Sequence, residues 1–189
     1  MIDGEVGGDQ DWMQDPWMNL GGCGALTACD ACIYLAGKGF PGLYPFDRDA
    51  LSRRDYEAFG MKMKPYLSPR HHGIDRLEIF TYGFGRYLED AGESRIHLRA
   101  FSGTNPCAGA AEAVISRIDE GWPVPYLCLD HRDAELDDFI WHWFLLAGYE
   151  AEGNELFVKT VTYGEAIWLN LKRLWETGRE PRGGMILLH

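Results

Sequence analysis

The sequence predicts an α+β protein that forms a single domain over residues 1–189. Three observations support this. Apolar side chains recur at helical spacing through much of the first 120 residues. Apolar and polar residues then alternate as in strands through most of the last third. The length of 189 residues, 46% of them apolar and 13% aromatic, suits one full core and leaves little room for a second domain. Helices followed by antiparallel strands are typical of α+β folds.

The first 20 residues are polar and rich in glycine, which predicts an irregular arm packed on the body of the protein. A helix is then predicted from Cys23 to about Lys38, with Gly37 and Gly39 as the stop signal. Apolar residues and alanines cover nearly all of its surface. A helix that is apolar on most sides is a buried one.

Three further helices are predicted at 47–59, 75–91 and 108–120. Asp47 is the expected N-cap of the first, and glycines at 60 and 92 end the first and the second. Strands are predicted at 94–101, 124–129, 139–149 and 155–162, with turns at 150–154 and 163–164. Residues 166–175 follow the last turn, and 184–188 is expected to add an edge strand.

Composition excludes several classes of function. A formal net charge of −11 without any cluster of lysines and arginines predicts no nucleic-acid partner. The acidic opening lacks the features of a secretion signal, and no segment approaches the roughly 20 apolar residues of a membrane span. We therefore expect a cytoplasmic protein without membrane contact, and its oligomeric state stays open.

Cys23 is the most informative residue of the chain. It lies in the glycine-lined run Gly21-Gly22-Cys23-Gly24, which leads directly into the first predicted helix. A thiol at a helix start faces unpaired backbone N–H groups and the positive end of the helix dipole. We therefore expect a lowered pKa and a nucleophilic thiolate at this position.

A nucleophilic cysteine needs a base, and His142 is the best candidate. It lies in the strand-like run 139–149, where Trp141 and Trp143 are expected to share one face while His142 points to the other with Phe144. His131 competes for the role, but it follows a predicted strand in a polar segment that looks solvated.

Two segments, Gly22-Cys23-Gly24 and the run from His142 to Tyr149, resemble the papain-like cysteine peptidases, in particular their compact bacterial C39-like branch. The chain has Ala25 and Leu26 where that branch usually has Pro and Thr. The resemblance implies a papain-like fold, with an N-terminal helical half that carries the nucleophile helix and a C-terminal antiparallel sheet half. The implied activity is hydrolysis of a peptide or amide bond in the cleft between the halves, through a Cys23 acyl-enzyme with His142 as base.

The resemblance also implies supporting residues. Thr160 stands where the family has an Asp or Asn that orients the histidine, and Asn154 is the nearest alternative amide. Gln14 and Asn19 are the candidates for the side-chain donor of the oxyanion hole. Gln14 is favoured because Pro16 and the following glycines would let the chain loop out.

Two other functions stay open at this stage. A papain-fold acyltransferase would pass the acyl group to an amine instead of water. A non-catalytic relative would use the cleft only to bind a peptide, and Thr160 in the carboxylate position makes this plausible. The expected partner in every case is a peptide or a small amide.

No metal or other cofactor is predicted. Cys29 and Cys32 have the spacing of zinc ligands, but they lie in mid-helix without a second pair. Residues 133–138 form an acidic run without the glycine of a calcium loop, so we expect a solvated segment. His71 and His72 are expected on a solvated or substrate-contacting loop. The four cysteines other than Cys23 are expected to be buried free thiols, namely Cys29, Cys32, Cys107 and Cys128.

Overall fold

The computed structural model describes residues 1–71 and 73–189, and it confirms the α+β class. A six-stranded sheet is antiparallel throughout and has the strand order β1-β6-β2-β3-β4-β5. Its strands are β1 (Leu98–Ser102), β2 (Val124–Cys128), β3 (His142–Glu152), β4 (Glu155–Thr162), β5 (Glu165–Asn170) and β6 (Gly183–Leu188). The α-helices are α1 (Pro16–Gly21), α2 (Cys23–Ala36), α3 (Arg53–Met63), α4 (Leu77–Asp90), α5 (Cys107–Asp119) and α6 (Leu171–Trp175).

The N-terminal arm contains a helix that the sequence analysis did not predict. Asp15 accepts hydrogen bonds from the backbone N–H groups of Trp17 and Met18, at 3.1 and 3.0 Å, and Pro16 occupies the first turn of α1. An aspartate before a proline is a known start signal for a helix. The signal was present in the sequence but stood in a stretch without apolar periodicity.

The helix predicted at 47–59 begins later than expected. Asp47 caps only a 3₁₀ turn, Arg48–Ala50, and the backbone then becomes extended at Leu51. Ser52 is the N-cap of α3, since its hydroxyl accepts the backbone N–H of Asp55 at 3.2 Å. Both residues are good caps by type, so the choice between them depends on tertiary packing rather than on local sequence.

The C-terminal strand is not an edge strand. β6 lies between β1 and β2 and is hydrogen-bonded on both sides, so the edges of the sheet are β1 and β5. Its burial on both faces explains its nearly continuous apolar sequence. The stretch 166–175 is divided into β5 and α6 by Asn170, which caps α6 by accepting the backbone N–H of Arg173 at 3.0 Å.

Helices cover both faces of the sheet. Buried side chains of α2, α3 and α4 pack on one face, and those of α5 and α6 pack on the other. The helices before β1 therefore pack on one face of the sheet, whereas α5 and α6 pack on the other face. Among the described residues, no helix is long and apolar enough to cross a membrane.

Alternation along β3 fixes what surrounds the histidine. Trp143 belongs to the core on the α2 side, where its ring stacks on Phe80 at 4.2 Å, while Phe144 belongs to the core on the opposite face. Trp141 does not share the face of Trp143 as predicted. It precedes the strand, has a positive φ of 52° and is 52% exposed. Because α2 packs against β3, the start of α2 lies near the start of β3.

Candidate functional site

Cys23 and His142 line the same cavity, which has a volume of about 650 Å³. Cys23 is the first residue of α2, and His142 is the first residue of β3. Both side chains are largely buried, with exposed fractions of 8% and 7%. The fold therefore brings together two residues that are 119 positions apart in the chain.

A glycine at the junction of α1 and α2 allows Cys23 to begin a helix at this point. A side chain on Gly22 would collide with the backbone of Met18 in the preceding helix. The backbone N–H groups of Trp143, Gly24 and Cys23 itself lower the pKa of the thiol, but by less than burial raises it. The expected lowering of the Cys23 pKa by the helix start is therefore wrong for the free protein, because desolvation is the larger effect.

His142 is held from one side of its ring. Its Nε2 lies 2.7 Å from the hydroxyl oxygen of Thr162, which is also buried. Among the described residues Nδ1 has no hydrogen-bond partner, so it is the candidate nitrogen for exchange of a proton. Burial lowers the pKa of His142 to about 4, so the imidazole is neutral at neutral pH.

The thiol and the imidazole therefore form a neutral pair. No hydrogen bond among the described residues joins the Cys23 sulfur to the ring of His142. Catalytic hydrogen bonds are often long in a free enzyme and tighten when substrate binds.

Thr160 does not hold the histidine. It is fully buried, pairs with Leu146 across the sheet, and donates its hydroxyl to the backbone carbonyl of Ile167 at 2.8 Å. Thr162, two residues further along β4, occupies the position expected for Thr160. The two threonines share one face of the strand, so alternation alone could not distinguish them. Asn154 is also excluded, since it is exposed in the turn at the opposite end of the β3–β4 hairpin.

Gln10, which the sequence analysis did not consider, lines the cavity with Cys23 and His142. Its side-chain oxygen is buried without a hydrogen-bond partner. Gln14 is exposed and lies outside the cavity, so the preference for it was wrong. Asn19 also lies outside the lining, and its side-chain amide donates to the backbone carbonyl of Gln10 at 3.3 Å.

The path of the chain through α1 explains why the sequence spacing to Cys23 did not indicate Gln10. Thirteen positions separate Gln10 from Cys23, but α1 turns the chain back so that both reach the cavity. The place of Gln10 in the cavity wall beside Cys23 and His142 is the structural signal that makes its side-chain N–H₂ group a candidate donor.

Two aromatic residues with left-handed backbones flank His142. Trp141 precedes it, and Tyr163 stacks on its ring with centroids 4.6 Å apart and planes 6° apart. Both have a φ of 52°, which costs energy in a non-glycine residue. The Tyr163 hydroxyl donates to the backbone carbonyl of Asp138 at 2.8 Å, which fixes the ring over the imidazole. Strain of this kind tends to accumulate at functional sites.

His131 is buried, contrary to the solvated segment that was predicted. Its Nε2 lies 3.0 Å from the backbone oxygen of Arg173, and its Nδ1 accepts the backbone N–H of Asp133 at 2.9 Å. Both ring nitrogens are therefore occupied, and His131 does not line the cavity of Cys23.

The remaining candidates are placed as follows. Cys29 and Cys32 are buried within α2, and no group of three metal-binding side chains occurs among residues 1–71 and 73–189. The acidic run lies largely in a 3₁₀ helix, Ala134–Phe139. His71 lines the cavity, whereas His72 lies outside the described residues.

The cavity brings together the Cys23 thiol, the His142 imidazole and the side-chain amide of Gln10. These are the groups that acyl transfer through a thioester requires. No protein-family model, no curated protein and no solved structure matches the chain.

Proposed function

We propose that the protein is a papain-like thiol hydrolase that cleaves a peptide or amide bond through an acyl-enzyme on Cys23. The observation that carries this proposal is the shared cavity: Cys23 and His142 both line it, and Thr162 lies against Nε2 of the histidine. The resemblance of the segments around Cys23 and His142 to the papain-like peptidases supports the same reaction.

The reaction starts from a neutral pair. The Cys23 sulfur attacks the carbonyl carbon of the substrate as its proton passes to Nδ1 of His142. The backbone N–H of Cys23 and the side-chain amide of Gln10 donate to the oxyanion that develops. The tetrahedral intermediate collapses to a thioester, and the amine leaves with the proton from His142. Water then attacks the thioester and releases the carboxylic acid, and the Cys23 thiol is restored.

Because the Cys23 thiol and the His142 imidazole are both neutral, few molecules hold a reactive thiolate, and this limits the rate of acylation. Thr162 offers the imidazolium a hydroxyl dipole where a carboxylate would offer a charge. A slow hydrolase is therefore expected. A second candidate, a peptide-binding module without catalysis, is favoured by the raised pKa of Cys23 and the lowered pKa of His142.

Covalent labelling tests the proposal. A peptidyl acyloxymethyl ketone forms a thioether with an activated thiol and releases a carboxylate, and peptide mapping by mass spectrometry locates the adduct. We expect slow but selective labelling of Cys23, with loss of labelling in C23S and H142Q. C32S and H131Q, which change buried residues outside the cavity, should label like the wild type.

Labelling should be followed by a search for turnover. Release of an amine from peptide amides, with and without an added amine acceptor, separates hydrolysis from acyl transfer. A folded wild type that is never labelled at Cys23 would overturn both catalytic readings and leave the binding module.

A further inference from the structure

Exposed apolar side chains are concentrated at the cavity of Cys23. Four of the eight exposed large apolar residues of the described chain line it. Two of them, Trp17 and Leu20, belong to α1, and the other two are Trp141 and Tyr163. Their exposed fractions range from 40% to 77%. Exposed apolar clusters of this kind mark binding surfaces, so the cavity is suited to apolar groups.

The charge of the cavity differs from that of the whole molecule. The chain carries a net charge of −11, but none of the described residues that line this cavity is an aspartate or a glutamate. Among these lining residues, Arg70 is the one with a fixed charge. It is exposed, and it makes no ion pair with any of the described residues. Its planar guanidinium is therefore available for a carboxylate, which it can bind through two parallel hydrogen bonds.

Building on the proposed function, we infer that the substrate is a short apolar peptide or N-acyl amino acid with a free carboxylate that binds Arg70. The volume of about 650 Å³ lies within the roughly 300–1,000 Å³ of sites that enclose ligands of this size. An amine would find no carboxylate in the lining and would be repelled by Arg70. Gln10 also lines the cavity, and its amide would contact the carbonyl group at the reacting bond as in the proposed reaction.

Protection of Cys23 from alkylation measures this preference without requiring turnover. N-acetyl-Leu-Phe and its C-terminal amide differ only in the charge at the C-terminal end. Either peptide can shift along the cavity to the position in which it fits best. Iodoacetamide modification of Cys23 is followed by mass spectrometry at increasing peptide concentrations. We expect the acid to give half-protection at about one tenth of the concentration needed for the amide. The advantage should shrink at high salt, because the contact is solvent-exposed.

R70Q should abolish the tenfold difference between the acid and the amide. R76Q removes the same charge from an exposed residue outside the cavity and should keep the difference. Urea unfolding establishes that both variants are folded. The inference is overturned if acid and amide protect equally in the wild type, if R70Q keeps the preference, or if neither peptide protects. The proposed function is judged separately, by labelling of Cys23 with the acyloxymethyl ketone.

Discussion

Cys23 and Cys107 occupy equivalent local positions in different surroundings. Each is the first residue of a helix, Cys23 of α2 and Cys107 of α5. Burial raises the pKa of both thiols, and Cys107 is the more exposed of the two. The charged groups that shift the pKa of Cys107 are Glu176 and Lys172, whereas Cys23 shares a cavity with an imidazole. A helix start alone therefore does not define a nucleophile, and the imidazole in the same cavity is what distinguishes Cys23 from Cys107.

The two buried histidines differ in the same way. His131 uses both ring nitrogens in hydrogen bonds to the backbone, which is a structural role. Among the described residues, His142 makes a hydrogen bond through Nε2 alone, its ring stacks on Tyr163, and it lines the cavity. Burial is nearly equal, so an unused nitrogen at a cavity separates the candidate base from the structural histidine.

The largest effect is expected when the two histidines are replaced by glutamine, one at a time. H142Q should slow formation of the Cys23 acyl-enzyme by at least about 100-fold, since general base catalysis contributes about 10²–10⁴. H131Q should leave the rate near that of the wild type but lower the free energy of unfolding by about 1 to 3 kcal/mol, because buried backbone groups lose a partner. Rapid-quench mass spectrometry with an activated ester gives the rates, and urea unfolding gives the stabilities.

Equal loss of acylation in H142Q and in H131Q would contradict the comparison. The lost rate would then reflect damage to the fold rather than loss of the base.

The next effect is the pH dependence of alkylation. The pKa of Cys23 is raised and that of His142 lies at about 4, so the thiolate fraction grows with pH throughout the neutral range. The iodoacetamide rate of Cys23 should therefore rise about tenfold per pH unit between pH 6 and pH 8. The pKa of Cys107 is also raised, so its iodoacetamide rate should rise with pH by the same factor. Substitution of His142 should not change that rate. A rate for Cys23 that is already constant from pH 5 would indicate a preformed thiolate–imidazolium pair instead.

Thr162 should have a smaller effect, of about tenfold. T162V removes the hydroxyl beside Nε2 of His142 and frees the tautomer and the orientation of the ring. T162N keeps an acceptor and should retain most of the acylation rate. T160V is the matched control on the same face of β4, and it should reduce stability without slowing acylation, since Thr160 bonds only to the backbone of Ile167. Equal rates in T162V and the wild type would mean that Thr162 does not position the base.

The smallest effect on the reactivity of Cys23 is expected from substitution of Asp30. This substitution should instead change the free energy of unfolding. This carboxyl group is buried on α2 and accepts the backbone N–H of Gly8 at 3.1 Å. Burial raises its pKa from 3.8 to about 7, so the folded state prefers the protonated acid. Its contribution to stability is therefore lost as pH rises from about 4 to about 7, by at most about 4 kcal/mol.

D30N removes this titration while keeping an acceptor for Gly8. Relative to the wild type, D30N should become more stable as pH rises from 4 to 7, with a constant difference above pH 7. Urea unfolding at pH 4.5 and pH 8 measures this change. An identical difference at the two pH values would mean that Asp30 does not titrate in this range.

Much of the fold could be predicted from the sequence, because local signals agree with tertiary packing in most elements. The helix from Cys23 and the strand 155–162 lie where apolar periodicity placed them. Strand order did not follow from the chain, since nothing local indicates that β6 inserts between β1 and β2.

In the candidate site, too, some residues could be predicted from local sequence and others depend on tertiary structure. Cys23 and His142 carry local signals, a glycine-lined helix start and a lone imidazole in an apolar strand. Thr162 depends on the register between β3 and β4, which shifts between Leu146 and Gly148. Gln10 depends on the path of the chain through α1. The pKa of Cys23 depends on the extent of burial, which its neighbours in sequence do not determine.

The central claim is that Cys23 and His142 act as one unit, and a double-mutant cycle tests it most directly. The rate of acyl release from an activated ester is measured for the wild type, C23S, H142Q and the double variant. We predict that the double variant is no slower than C23S alone, because neither residue works without the other. Losses that multiply in the double variant would show that the two residues act independently, and would contradict the account.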